Sequence, residues 1–148
     1  MEKRRDENEI KSKRKYLWSY QTHVRKIERL EEELIELRDM KISPSGKPSD
    51  GMPHGSSQET DLSGYAAEKD ELERELEEEK KKRVESYKEI MGSIKKLKRE
   101  EEKDVLFWKY IKAKSDWETA KKIGYSERQM YRIERKALEN LQIPESCQ

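Results

Sequence analysis

The amino-acid sequence predicts an all-α protein, in which a long antiparallel helical hairpin precedes a small unit of three helices. The first observation is the composition, since 45% of the residues are charged and only 31% are hydrophobic, which is typical of long helices and coiled coils. The second is that apolar residues recur every three or four positions over two long stretches, as on one face of a helix. The third is a pair of closely spaced helix-capping sequences near the C-terminus.

The first long helix is predicted over residues 1–42, with a frayed start, because this stretch contains neither Gly nor Pro. Its apolar stripe comprises Leu17, Tyr20, Val24, Ile27, Leu30, Leu34 and Leu37. Residues 43–64 hold three Pro, four Gly and six Ser, which predicts a flexible loop. Asp61 or Ser63 would cap the helix that follows this loop.

The second long helix is predicted over residues 65–99. Its stripe comprises Tyr65, Leu72, Leu76, Val84, Tyr87, Ile90 or Met91, Ile94 and Leu97. Because the two long helices are nearly equal in length and the linker can reverse the chain, an antiparallel hairpin is the simplest arrangement. A parallel coiled-coil dimer is the alternative, so a homodimer stays open.

Residues 100–148 are predicted to fold as a domain of their own. Ser115-Asp116-Trp117-Glu118 and Ser126-Glu127-Arg128-Gln129 each fit a capping box, and Gly124 between them can end a helix in the left-handed conformation. These signals predict helices over 116–122 and 127–142, after an amphipathic helix over 104–114.

Three helices in this order form a helix-turn-helix domain, in which the last helix of a DNA-binding version lies in the major groove. The predicted core comprises Leu106, Tyr110, Trp117, Ala120, Ile123, Met130, Ile133, Ala137 and Leu141.

The outward face of the last helix carries the candidate DNA-binding residues. Residues 105–143 contain nine Lys or Arg against five Asp or Glu, so this segment is basic. Arg and Gln can make bidentate contacts with base edges, and a helix start can bind phosphate. A purely structural module is the alternative interpretation. The candidates are Ser126, Glu127, Arg128, Gln129, Tyr131, Arg132, Arg135 and Lys136.

The charges of the hairpin are unevenly distributed. Residues 1–26 hold nine basic and four acidic side chains, and Lys95–Arg99 is also basic, so both segments are expected to extend the DNA contacts. Residues 28–39 hold six acids against two bases, and residues 68–79 hold eight against two. We expect this acidic end to splay apart or to bind a basic partner, such as RNA polymerase or another regulator.

Several classes of protein are not indicated. No nucleophile with a base, no phosphate-binding glycine loop and no metal-ligand cluster is recognisable, so neither an enzyme nor a cofactor nor a metal is expected, and His54 is interpreted as a loop residue. No apolar run could span a membrane, and the N-terminus lacks a signal peptide. Cys147 is the only cysteine, which fits a cytoplasmic protein.

The stretch FWKYIKAKSDWETAKKIGYSERQMYRIERKALENL resembles the helix-turn-helix of region four of bacterial sigma factors. It resembles more closely the small phage and prophage regulators of the ArpU and RinA type. The resemblance implies a phage-encoded transcriptional regulator, an activator of late or packaging genes, in the cytoplasm of a bacterial host. Thr119 departs from the aliphatic residue usual in sigma-type sequences, and a sigma region-two segment is missing, so a complete sigma factor is not expected.

Two other functions stay open at this point. Small terminase subunits, which recognise DNA for packaging, also join a helix-turn-helix to helical oligomerisation segments, although usually in the reverse order. A structural coiled-coil protein without a nucleic-acid role is the third possibility.

Overall fold

The computed structural model describes residues 2–42 and 57–145, and the side chains of residues 2–40 and 64–145. Every regular element in these ranges is helical, so the predicted all-α class is confirmed. The elements are α1 (Glu2–Ile42), α2 (Ser57–Lys95), α3 (Glu100–Leu106), a π-helical turn (Phe107–Ile111), α4 (Asp116–Ile123) and α5 (Glu127–Asn140).

The chain forms two compact units, and the long helices α1 and α2 contribute to both. One unit contains residues 1–23 and 83–148, and the other contains residues 24–82. The first part of α1 therefore belongs to the same unit as the three short helices, a grouping that the periodicity of the sequence did not indicate.

Within residues 24–82, α1 and α2 run antiparallel. Lys26 Nζ of α1 lies 3.3 Å from Oε2 of the buried Glu79 of α2. Leu37, further along α1, lines the same groove as Leu72, which comes earlier in α2. The predicted hairpin is thus confirmed in this unit, in preference to parallel helices.

The ends of α2 differ from the prediction. The helix begins at Ser57 rather than at residue 65, so the expected caps Asp61 and Ser63 lie inside it. The reason is that the three prolines of the predicted loop all precede residue 57, and no residue from 57 to 64 forbids helix. Residues 43–56 of that loop, with His54, and Cys147 lie outside the described residues. α2 also ends earlier than predicted, at Lys95, where Leu97 N–H donates to the Ile94 carbonyl oxygen at 3.0 Å in a tighter turn.

The predicted helix over 104–114 is observed in an altered form. It begins earlier, at Glu100, and from Phe107 onward it widens into the π-helical turn, in which Lys112 N–H donates to the Phe107 carbonyl oxygen at 3.0 Å. Gln21 of α1 caps this turn, because its Nε2 donates to the carbonyl oxygens of Tyr110 at 2.9 Å and Ile111 at 2.7 Å. A glutamine from the start of the chain therefore satisfies carbonyl groups that a helix end leaves unpaired.

The core of the unit formed by residues 1–23 and 83–148 largely matches the prediction. Six of the predicted residues are buried, and Ile123 and Ile133 are partly buried against a cluster that includes Ala120 and Met130. The buried ones are Leu106, Tyr110, Ala120, Met130, Ala137 and Leu141.

The prediction that Trp117 belongs to the core is wrong, since the residue is 60% exposed. It is the second residue of α4, and the residues that turn inward there are Thr119 and Ala120. Among the hairpin residues, Val84 and Tyr87 are also exposed, although the apolar stripe of α2 included them.

Thr119 leads to a prediction about stability. Its side chain is fully buried, and its hydroxyl oxygen has no hydrogen-bond partner in the described part of the chain. Because a buried hydroxyl without a partner loses its hydration, Thr119→Val should raise the free energy of unfolding by about 1 kcal/mol. Urea denaturation measures this change, with the exposed Thr22→Val as the matched control, for which a change below about 0.5 kcal/mol is expected. A loss of stability in Thr119→Val alone would show that the hydroxyl is hydrogen-bonded.

Candidate nucleic-acid interface

The turn between α4 and α5 is built by local side-chain caps. The Ser115 hydroxyl oxygen accepts from the Glu118 backbone N–H at 3.2 Å, and the Glu118 carboxylate accepts from the Ser115 N–H at 3.1 Å. Ser126 and Gln129 repeat the arrangement, with both distances at 3.3 Å. Gly124 between them has a φ of 78°, which is the left-handed conformation that glycine tolerates best. Both predicted capping boxes are therefore confirmed, and α4 and α5 form a helix-turn-helix pair.

The cap of α4 also stabilises the ionised form of the Glu118 carboxyl group. The Ser115 backbone N–H donates to Glu118 and holds the pKa of that carboxyl below its usual range. Glu118 therefore remains ionised at the start of α4, where a negative charge interacts favourably with the helix dipole.

α5 has two distinct faces. Met130, Glu134, Ala137 and Leu138 are buried on the inner face. All eight predicted site residues are exposed. One is the cap of α5, and the other seven lie in α5 at positions outside its buried face. These are Ser126, Glu127, Arg128, Gln129, Tyr131, Arg132, Arg135 and Lys136.

The cations of the outer face differ in their partners. Arg135 Nε lies 3.3 Å from Oε1 of Glu139, one turn further along α5. Within the described residues 2–40 and 64–145, no hydrogen bond or ion pair engages the side chain of Arg128, Arg132 or Lys136. These three cations are therefore free to bind an anionic ligand, whereas the carbonyl oxygen of Gln129 is already engaged in its cap.

Tyr131 is held against the start of α4. Its hydroxyl donates to Asp116 Oδ2 at 2.7 Å, and this bond lowers the pKa of Asp116 and raises the pKa of Tyr131 to about 12. Lys109 Nζ lies 3.2 Å from Asp116 Oδ1 and 5.7 Å from the centroid of the Tyr131 ring. The Lys109 charge thus offsets a carboxylate that would otherwise repel an approaching phosphate.

A buried carboxylate lies directly beneath this contact. Only 2% of Glu134 is exposed. Its Oε1 accepts from the Tyr110 hydroxyl at 2.6 Å, and its Oε2 accepts from Lys109 Nζ at 2.8 Å. Arg14 Nε of α1 lies 3.9 Å from Oε1. Burial raises the pKa of Tyr110, and its hydrogen bond to the carboxylate raises it further. This Glu134 network therefore joins α1, the π-helical turn, α4 and α5 into one structure behind the exposed face.

The sequence contains one signal of this network, which apolar periodicity alone does not reveal. Glu134 lies four residues after Met130 and three before Ala137, so an acid occupies the register of the core. A charged residue at such a position requires buried partners.

The described residues contain no group of three His, Cys, Asp or Glu side chains that could hold a metal ion. Nor, among the same residues, is any helix long and apolar enough to cross a membrane.

Comparison with known proteins yields one family. The family model described as "Protein of unknown function (DUF1492)" matches residues 53–142, which include all of α2 and every later element to the end of α5, but not α1. No curated protein and no solved structure matches the chain.

Proposed function

Because the chain belongs to the family described as "Protein of unknown function (DUF1492)", whose description names no activity, we propose a function from the site itself. The protein is a sequence-specific regulator of transcription that binds double-stranded DNA, with α5 in the major groove. The resemblance of its sequence to regulators of the ArpU and RinA type suggests that it is encoded by a phage or prophage. It would then act in the cytoplasm of the bacterial host, as an activator of late or packaging genes.

The observation that carries the proposal is the outer face of α5. An α-helix fits the width of the major groove, and its exposed side chains can then reach base edges. Arg128 and Arg132 are exposed and unpaired in the described region, and Arg is the side chain that makes bidentate contacts with guanine. A helix that only stabilised a structural bundle would not require this face to be basic.

The rigidity of the site also supports the proposal. The two capping boxes fix the turn, and the Glu134 network fixes α5 against the helices behind it. Reading a base sequence requires side chains to be held at defined positions, because a loosely held side chain loses entropy when it binds.

The second unit offers a candidate surface for a protein partner. A groove of about 500 Å³ between α1 and α2 has Leu37, Met40 and Leu72 on its walls, together with one arginine and six glutamates. These glutamates are Glu32, Glu33, Glu36, Glu68, Glu71 and Glu75. A basic segment of RNA polymerase or of another regulator has the chemistry to occupy this groove.

The partner contact can be separated from DNA binding. The triple variant Glu32→Gln, Glu36→Gln, Glu71→Gln removes three charges from the groove and should abolish most promoter activation while leaving DNA affinity unchanged. A reporter assay and a DNA-binding titration measure the two effects, with the exposed Glu85→Gln of the other unit as a control. Full activation by the triple variant would contradict the proposed partner surface.

Footprinting tests the proposed function as a whole. The purified full chain is incubated with fragments of the genome that encodes it, and bound fragments are selected and digested with DNase. We expect protection of a defined site that survives competition by random DNA. Equal retention of all fragments would contradict sequence-specific regulation, and retention of none would contradict DNA binding.

A further inference from the structure

The first helix of the helix-turn-helix pair carries an exposed aromatic side chain among lysines. Trp117 lines an open cavity of about 480 Å³ together with Lys114, Glu118, Lys121 and Lys122. These five residues are called the α4 surface. A tryptophan exposed among three lysines offers an indole N–H donor beside several positive charges, which is a chemistry that suits an anionic ligand.

The α4 surface is cationic. Lys121 Nζ lies 5.0 Å from the centroid of the Trp117 ring, and Lys122 Nζ lies 4.9 Å from that of Trp108. Glu118, its only acid, is engaged in the cap of Ser115. None of the three lysines makes an ion pair within the part of the chain that the structure describes, so their charges are available to an anion.

The start of α4, next to the α4 surface in the chain, contacts the outer face of α5. Asp116, next to Trp117 in the chain, accepts the hydrogen bond from the Tyr131 hydroxyl at 2.7 Å. Tyr131 is itself one of the exposed residues of α5. A ligand that covers Tyr131 therefore comes close to the start of α4, where Trp117 lies.

We propose that the α4 surface binds the phosphodiester backbone of the DNA duplex that α5 enters. Lys121 and Lys122 neutralise phosphates, and the Trp117 indole N–H, a donor without an internal partner in the described residues, donates to a phosphate oxygen. This inference rests on the proposed function and adds to it a contact that does not depend on base sequence. It also explains the exposure of Trp117, whose ring the Lys121 ammonium group screens from water on one face.

The test compares two double variants of the full chain. Lys121→Gln/Lys122→Gln removes two charges from the α4 surface, and Lys81→Gln/Lys82→Gln removes two exposed charges from α2 as the matched control. Fluorescence anisotropy measures binding to the specific duplex and to a random duplex over a range of salt concentrations. The α4 variant should weaken both complexes by the same factor. It should also make the dependence of log K on log salt less steep by about 2, since each phosphate contact contributes about one unit.

Trp117→Phe tests the hydrogen bond separately, because phenylalanine keeps a ring but has no N–H donor. Hydroxyl-radical footprinting should show that this variant loses protection of backbone positions beside the major-groove site, while the base contacts of α5 stay. Circular dichroism confirms that each variant folds, which is expected because all the changed side chains are exposed.

The outcomes that overturn the inference are distinct from those that overturn the proposed function. If the wild type binds its site and both double variants retain its affinity and salt dependence, the α4 surface does not bind DNA. If the α4 variant loses only promoter activation, the surface binds a protein instead. If the wild type binds no duplex, both the inference and the proposed function are wrong.

Discussion

Glu134→Ala is expected to lower the free energy of unfolding by about 3–5 kcal/mol, because removing one member of a buried ionic network leaves the others unpaired. Glu134 is buried, and it accepts hydrogen bonds from Lys109 and Tyr110. Without the carboxylate, the Lys109 ammonium group keeps Asp116 as its one ion-pair partner among the described residues, and the Tyr110 hydroxyl loses its acceptor. Urea denaturation followed by circular dichroism measures the loss.

The matched control is Glu139→Ala on the same helix. Glu139 is exposed and pairs with Arg135 at 3.3 Å, so its removal should cost less than about 1 kcal/mol. A similar loss in both variants would show that the cost does not come from the buried network, since alanine favours helix at least as well as glutamate. A loss below about 1 kcal/mol in Glu134→Ala would contradict the network.

Arg132→Ala should weaken binding to the specific duplex by about 1–3 kcal/mol, if this side chain contacts a base edge. Arg132 is exposed in the middle of α5, and no residue in the described ranges pairs with it. We expect a smaller loss for Arg135→Ala, because Glu139 already offsets part of the Arg135 charge. Competition titrations with specific and random duplexes measure both effects.

Binding to the random duplex distinguishes contacts with base edges from contacts with phosphates. A loss confined to the specific duplex assigns Arg132 to base reading, and an equal loss on both assigns it to phosphates. Arg74→Ala, an exposed arginine of α2 in the other compact unit, is the matched control and should leave both affinities unchanged. If the Arg132→Ala variant binds both duplexes with wild-type affinity, the proposal that α5 contacts DNA is contradicted.

The features that the sequence predicted well are local ones. A capping box depends on residues three positions apart, so Ser115 with Glu118 and Ser126 with Gln129 could be recognised without knowledge of the fold. The exposed face of α5 followed from the same short-range periodicity, once its first residue was known.

The features that the sequence did not predict depend on distant parts of the chain. Gln21 and Arg14 of α1 contact the π-helical turn and Glu134, respectively, and no local pattern links residues so far apart. The basic residues near the N-terminus were expected to extend the DNA contacts. Lys13 Nζ, however, donates to the Glu139 carbonyl oxygen at 3.2 Å, so part of this charge holds α1 against α5.

Trp117 shows how an apolar residue can mislead. Its size favoured a core position, but the second residue of a helix lies at the end of the element, where neighbouring turns cover it less. The small Ala120 and the polar Thr119 are the residues of α4 that pack inward.

Photo-cross-linking identifies most directly which residues meet DNA. The full chain is bound to its specific duplex carrying 5-iodouracil in place of single thymines, irradiated, and digested for mass spectrometry. Cross-links should concentrate on the exposed residues of α5, between Arg128 and Lys136. Cross-links confined to α1 or α2, with none in α5, would contradict the assignment of α5 as the helix that reads DNA.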